Sequence, residues 1–114
     1  MIRRDGYYIS EGFPWVDWHA GHKFEGTKYY LLKFIDNNCI IRASSESIEI
    51  SITIFKDRMD YIDKYHLIDN NTLEIILNPE SKWSVTKQFT ILSPELLLDE
   101  NLKEYRFVPI SKSL

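Results

Sequence analysis

With 114 residues the chain is long enough for one compact core and too short for two ordinary domains, so residues 1–114 read as a single domain. Six Phe, seven Tyr and three Trp supply apolar core area without disulfide staples; the single cysteine, Cys39, forms no internal bridge, which fits a reducing compartment and an expected cytoplasmic location. A formal charge of -3 with scattered Lys and Arg argues against a nucleic-acid partner, and the opening Met1 to Gly6 lacks the apolar run of a signal peptide or membrane span.

Gly6 to Glu11 reads as a first strand, ended by Gly12 and Pro14. The segment Phe13 to Gly26 is rich in aromatics, glycine and histidine, with neither helical nor strand periodicity. It is expected to be a structured loop or crossover lying over the mouth of a barrel. Lys28 to Ile35 and Cys39 to Ser44 are β-rich runs on either side of Asp36-Asn37-Asn38, and Asn and Asp tolerate the left-handed backbone that a tight turn demands. This is the strongest local signature in the chain, and it predicts a hairpin.

From Ser47 to Ile54 polar residues and isoleucines alternate, which favours a strand. Ile48, Ile52, Phe55 and Met59 also lie at helical spacing behind a Ser44-Ser45-Glu46 entrance, so one short helix within Ser45 to Asp57 is the alternative. A second hairpin is expected from Tyr65 to Ile68, a turn at Asp69-Asn70-Asn71, and Leu73, Ile75 and Leu77 on one face of the next strand. After Asn78 to Lys82, the run Trp83 to Leu92 places Trp83, Val85, Phe89 and Ile91 together and leaves the other face wet. Ser93-Pro94-Glu95 turns the chain into Leu96 to Leu98, and Tyr105 to Val108 is the last strand, stopped by Pro109. The predicted class is all-β, with at most one short helix. Eight or nine short strands joined mostly by tight turns make an antiparallel up-and-down meander, and closing it into a barrel removes its exposed edges.

Gly6-x-Tyr8 in the first strand and Arg106 between Tyr105 and Phe107 in the last resemble the lipocalin-like (calycin) pattern, in which a Gly-x-Trp is covered by an arginine from the final strand. The resemblance implies that Tyr8 stands for the tryptophan and Arg106 for the arginine stacked on it. The rhythm from Tyr30 to Ile41 is similar to the second and third strands of small lipocalin-like modules found in bacterial proteins and in the tails of some F-box proteins. The chain departs from that pattern in its tyrosine, its shortness, its lack of a disulfide and the absence of a long helix after the last strand.

Five groups of residues are candidate sites. Asp17, His19 and His22, with His66 elsewhere, have zinc-ligand chemistry; a glycine-containing loop does not set their spacing, so exposed histidines and no metal are expected. Trp15 and Trp18, with Phe13 and Phe24, either plug the barrel mouth or form a recognition surface. Tyrosines such as Tyr30 place hydroxyls either inside a pocket or in water. Cys39 follows a turn among isoleucines without a histidine base, the setting of an inert thiol. Glu46, Glu49, Asp57, Asp60 and Asp63 are either an acidic face for a basic partner or solvated charges between buried isoleucines.

The expected function is non-enzymatic: a barrel, needing no cofactor, that binds a small apolar or amphipathic molecule at an open end walled by Trp15, Trp18, Tyr30 and Phe34, with Gly6, Tyr8 and Arg106 structural. The alternative is a protein-interaction module, an inhibitor or immunity-type protein, that docks on a protein partner through the aromatic segment Phe13 to Gly26.

Overall fold

The computed structural model describes residues 2–46 and 62–110, and these form one antiparallel β-structure without a helix. Nine strands follow one another: β1 Gly6–Ser10, β2 Phe13–His19, β3 His22–Phe34, β4 Cys39–Ser45, β5 Ile62–Leu67, β6 Thr72–Leu77, β7 Val85–Ser93, β8 Leu96–Leu98 and β9 Glu104–Pro109. The segment Ser47 to Phe55, expected as strand or short helix, lies outside the described residues.

From β3 to β9 each strand pairs with its neighbour in sequence, and β1 pairs with both β9 and β3. Eight strands therefore close into a barrel. β1 and β2 both run antiparallel to β3, one after the other along the same edge, separated by Glu11 and Gly12. Together they amount to one long bent strand, and the hairpin that they make with β3 overshoots the barrel.

Closure is tightest at β1. A Cβ on Gly6 would lie 2.1 Å from the carbonyl oxygen of Val108 and 2.8 Å from Cα of Pro109, so the approach of β1 to β9 requires glycine there. The other seam carries only the pairs Tyr8↔Leu32 and Ile9↔Leu31, extended by the Tyr30 amide donating to Ser10 Oγ at 2.8 Å.

Alternate residues point inward and build the main core: Tyr8, Leu32, Phe34, Ile40, Tyr65, Leu73, Ile75, Phe89, Ile91, Leu97 and Tyr105. Their rings meet edge to face, Tyr8 with Phe34 (5.6 Å) and Phe107 (5.2 Å), Phe34 with Tyr65 (4.8 Å), and Phe89 with Tyr105 (5.2 Å). A second apolar cluster, Tyr7, Leu31, Ile41 and Ala43, occupies the outward face of β1, β3 and β4.

One end of the barrel is sealed. The Tyr8 hydroxyl donates to the Pro94 carbonyl at 2.6 Å and accepts the Arg3 amide at 3.0 Å, while Tyr65 donates to the Asp36 carbonyl in the β3–β4 turn. Asp36 holds that turn by accepting the amides of Asn38 and Cys39, each at 2.9 Å.

The expected cover of Arg106 over Tyr8 is not formed. Arg106 alternates with the inward Tyr105 and Phe107, so it points outward, has its side chain 68% exposed and pairs with Glu104. The guanidinium that covers the aromatic end belongs to Arg3, 4.1 Å from the Phe107 ring and paired with Asp5 and Glu95.

Two substitutions test this account of closure. Gly6→Ala is expected to lower stability by about 1–3 kcal/mol in urea unfolding, because backbone and not a flexible side chain must give way. Arg3→Ala is expected to lower the urea midpoint more than Arg106→Ala; the reverse order would return the capping role to the last strand.

Candidate functional site: the open end and the projecting hairpin

Among the described residues the end opposite Tyr8 is open and leads into a cavity of about 880 Å³. Its apolar wall comes from Leu32, Ile75, Leu77, Phe89 and Tyr105, with Phe13 and Tyr30 at the root of the hairpin, 5.2 Å apart edge to face. Polar side chains share the lining: Arg42 and Ser44 on β4, Asp63 on β5 and Lys87 on β7 face inward, and the connections add Asn78, Glu80, Ser81, Asp99 and Asn101.

These polar groups differ in how they are satisfied. Asp63 is buried, accepts Arg42 Nε, and accepts the Asn78 amide at 2.9 Å, so it ties β4 and the chain after β6 to the base of the rim. Its charge is neutralised where it stands. Asp99 Oδ1, in the β8–β9 connection, accepts the amides of Asn101 (2.8 Å) and Lys103 (2.9 Å) and so serves a turn. Burial, with a smaller contribution from the charge of Asp99, pushes the Tyr105 hydroxyl well above the ordinary tyrosine range, so it stays protonated and able to donate.

The aromatic segment expected as a loop is a β-hairpin. Phe13↔Lys28 through His19↔His22 form seven successive pairs of β2 with β3, and Ala20 and Gly21 turn the chain with φ of 50° and 80°, the left-handed pair that a two-residue hairpin needs. Neither face of this hairpin is packed on the core, so it carries apolar residues on both sides: Trp15 and Phe24 on one, Val16 and Trp18 on the other. A strand with two partly apolar faces has no period-two signature, which hid it from the sequence.

The two tryptophans have different roles. Trp15 lies over Gly26, with its ring 3.0 Å from where a Cβ would stand, and its buried Nε1 has no hydrogen-bond partner among the described residues. Trp18 is 64% exposed and Phe24 50%. Neither tryptophan lines the cavity, so the expected ligand walls Trp15 and Trp18 are not brought to it. Phe34 is not at the rim either, because it is fully buried beside Tyr8 at the closed end. Of the four residues expected to meet ligand, the cavity includes Tyr30.

The outer edge of β2 is blunted. The two-residue turn makes His19↔His22 the hydrogen-bonded closing pair, so the backbone nitrogens of residues 14, 16 and 18 face away from β3. Pro14 has no amide hydrogen, and the Trp18 amide donates to Asp17 Oδ1 at 2.9 Å. That carboxylate also meets His19 Nε2 at 2.9 Å, while His66 lies on β5 against Glu74. No group of three or more His, Cys, Asp or Glu is arranged to hold a metal ion among the described residues.

Of the polar rim residues, Arg42 and Lys87 were absent from the sequence reading, and Asp63 entered it only as one of the acidic residues expected on a charged face or in solvent, whereas it is buried and paired with Arg42. Lys87 had a signal: it interrupts the inward row Val85, Phe89, Ile91 at the one position where an apolar residue is missing. Asp63 had none, because its strand begins earlier than its apolar residues suggest.

No protein-family model, no curated protein and no solved structure matches the chain. Among the described residues no helix is long and apolar enough to cross a membrane. The class that the fold and the open end define is a small eight-stranded antiparallel barrel with an accessible interior.

Two predictions follow from the geometry of this end. Trp15→Ala is expected to cost about 1–3 kcal/mol and Trp18→Ala less than about 0.5 kcal/mol in urea unfolding, since only the first ring covers a glycine pair. Burial raises Tyr7, Tyr8 and Tyr105 above the unfolded value of 10.0. These groups leave stability untouched well below that value and diminish it as pH rises past it, where the unfolded chain ionises first. Tyr105→Phe is expected to remove part of this alkaline loss, read from unfolding midpoints across pH 8 to 11 on the order of one unit per step.

Proposed function

We propose that the protein is a non-catalytic, lipocalin-like binding barrel that takes one small amphipathic molecule into its open end, in a reducing, cytoplasmic setting. The observation that supports this reading is the cavity: about 880 Å³, with apolar walls from Leu32, Ile75, Leu77, Phe89 and Tyr105 and polar side chains among them. Ligand sites in proteins usually fall between about 300 and 1,000 Å³ and combine mostly apolar walls with a few convergent polar groups.

A second reading, a protein-interaction module, is favoured by the hairpin. Trp18 and Phe24 are exposed on an arm that leaves the barrel, and the blunted edge of β2 directs recognition to the faces of the arm, away from strand addition.

Titration with N-phenyl-1-naphthylamine, a neutral apolar fluorophore, separates the two. The barrel reading expects saturable fluorescence enhancement by the wild type, lost in Leu77→Trp, which fills the mouth, with circular dichroism unchanged, and retained in Trp18→Ala. Failure of the wild type to enhance the probe, together with native mass spectra of protein from its source cells showing a bound protein and no small molecule, would overturn it in favour of the arm.

A further inference from the structure

Among the described residues, two of the polar side chains that line the cavity are buried, Asp63 and Tyr105, and they are satisfied differently. Asp63 has the Arg42 guanidinium and the Asn78 amide. Tyr105 is only 7% exposed and packs its ring edge to face on Phe89, yet its hydroxyl has no hydrogen-bond partner among the described residues. The described side-chain atom that is both sealed from solvent and unpartnered is Trp15 Nε1, so the Tyr105 hydroxyl, equally unpartnered, is reached through the cavity that its residue lines. The charges around it favour neither sign: Arg42 and Asp63 neutralise each other, Asp99 is engaged by two amides of its own turn, and Glu80 and Lys87 are both exposed.

Resting on the binding reading above, we propose that Tyr105 Oη is the group that confers specificity on the cavity, and that the ligand is a neutral, largely apolar molecule whose carbonyl oxygen accepts a hydrogen bond from it. An apolar molecule that fills the cavity strips water from this hydroxyl. Without an acceptor it leaves a buried donor unpaired, whereas a carbonyl oxygen replaces the bond that water made. Burial, with a smaller contribution from Asp99, holds the hydroxyl in its protonated, donating form. The same carboxylate disfavours an anionic oxygen beside Tyr105, so a neutral acceptor is the better match.

The test uses the intact chain and displacement of N-phenyl-1-naphthylamine by 2-acetylnaphthalene and by 2-ethylnaphthalene, which share a ring system and shape and differ in the carbonyl oxygen. Each displacement is referred to the same variant's own affinity for the fluorophore. Tyr105→Phe is expected to weaken the ketone about fivefold, the worth of one neutral hydrogen bond, and to bind the hydrocarbon no more weakly than the wild type does. Because the deleted hydroxyl has no protein partner among the described residues, the urea midpoint at neutral pH is expected not to fall, which separates a lost contact from a damaged barrel. An unchanged affinity for the ketone, or an equal loss for both compounds, overturns the assignment of Tyr105 while leaving the binding barrel intact. If the fluorophore does not bind the wild type, the binding reading fails and this inference with it.

Discussion

Everything else in the structure depends on β1 being held between β9 and β3. An antiparallel meander left open would expose two strand edges, and closure converts both into ladders. The approach to β9 is close enough that Gly6 has no room for a side chain, and the short ladder to β3 is lengthened by Ser10 accepting the Tyr30 amide. Once this strand is in place, the inward residues of every other strand face one another across a single interior, and Tyr8 becomes the centre of the aromatic packing at the closed end.

The barrel is graded along its axis. At the closed end the inward residues are aromatic and aliphatic, and the polar atoms there are consumed locally by the Tyr8 to Pro94 and Tyr65 to Asp36 hydrogen bonds. At the open end the same alternation brings Arg42, Ser44, Asp63 and Lys87 inward. The buried Asp63 is tolerated because it has both a guanidinium and a backbone amide, so the rim keeps its shape without an uncompensated charge.

The projecting hairpin follows from the same topology. β3 is longer than the barrel requires, and β1 continues into β2 along its edge beyond Gly12, so seven further pairs form outside the core. With no core to bury a face, these pairs rely on local contacts: Trp15 over Gly26 across the strands and the ion pair of Lys23 with Glu25 along β3. Pro14 and the Asp17 side chain remove two of the outward donors from its edge, which keeps an exposed strand from recruiting another.

Local chemistry in the sequence determined the class of fold: period-two alternation at Leu73 to Leu77 and Val85 to Ile91 marks half-buried strands, and the Asp/Asn turns set antiparallel neighbours, because these signals act over a few residues. The resemblance to the lipocalin-like pattern marked Gly6 and Tyr8 as special positions. Which cation caps the aromatic end was decided only in three dimensions, since Arg3 reaches Phe107 from a segment far away in sequence while the adjacent Arg106 is turned outward by strand alternation. The hairpin from Phe13 to Lys28 was equally hidden, because its pairing is sustained by its turn and by continuity with β1 and not by one buried face. The rim is the clearest case: Arg42, Asp63 and Lys87 lie on three strands far apart in the chain, and only closure of the barrel turns their inward positions into one site.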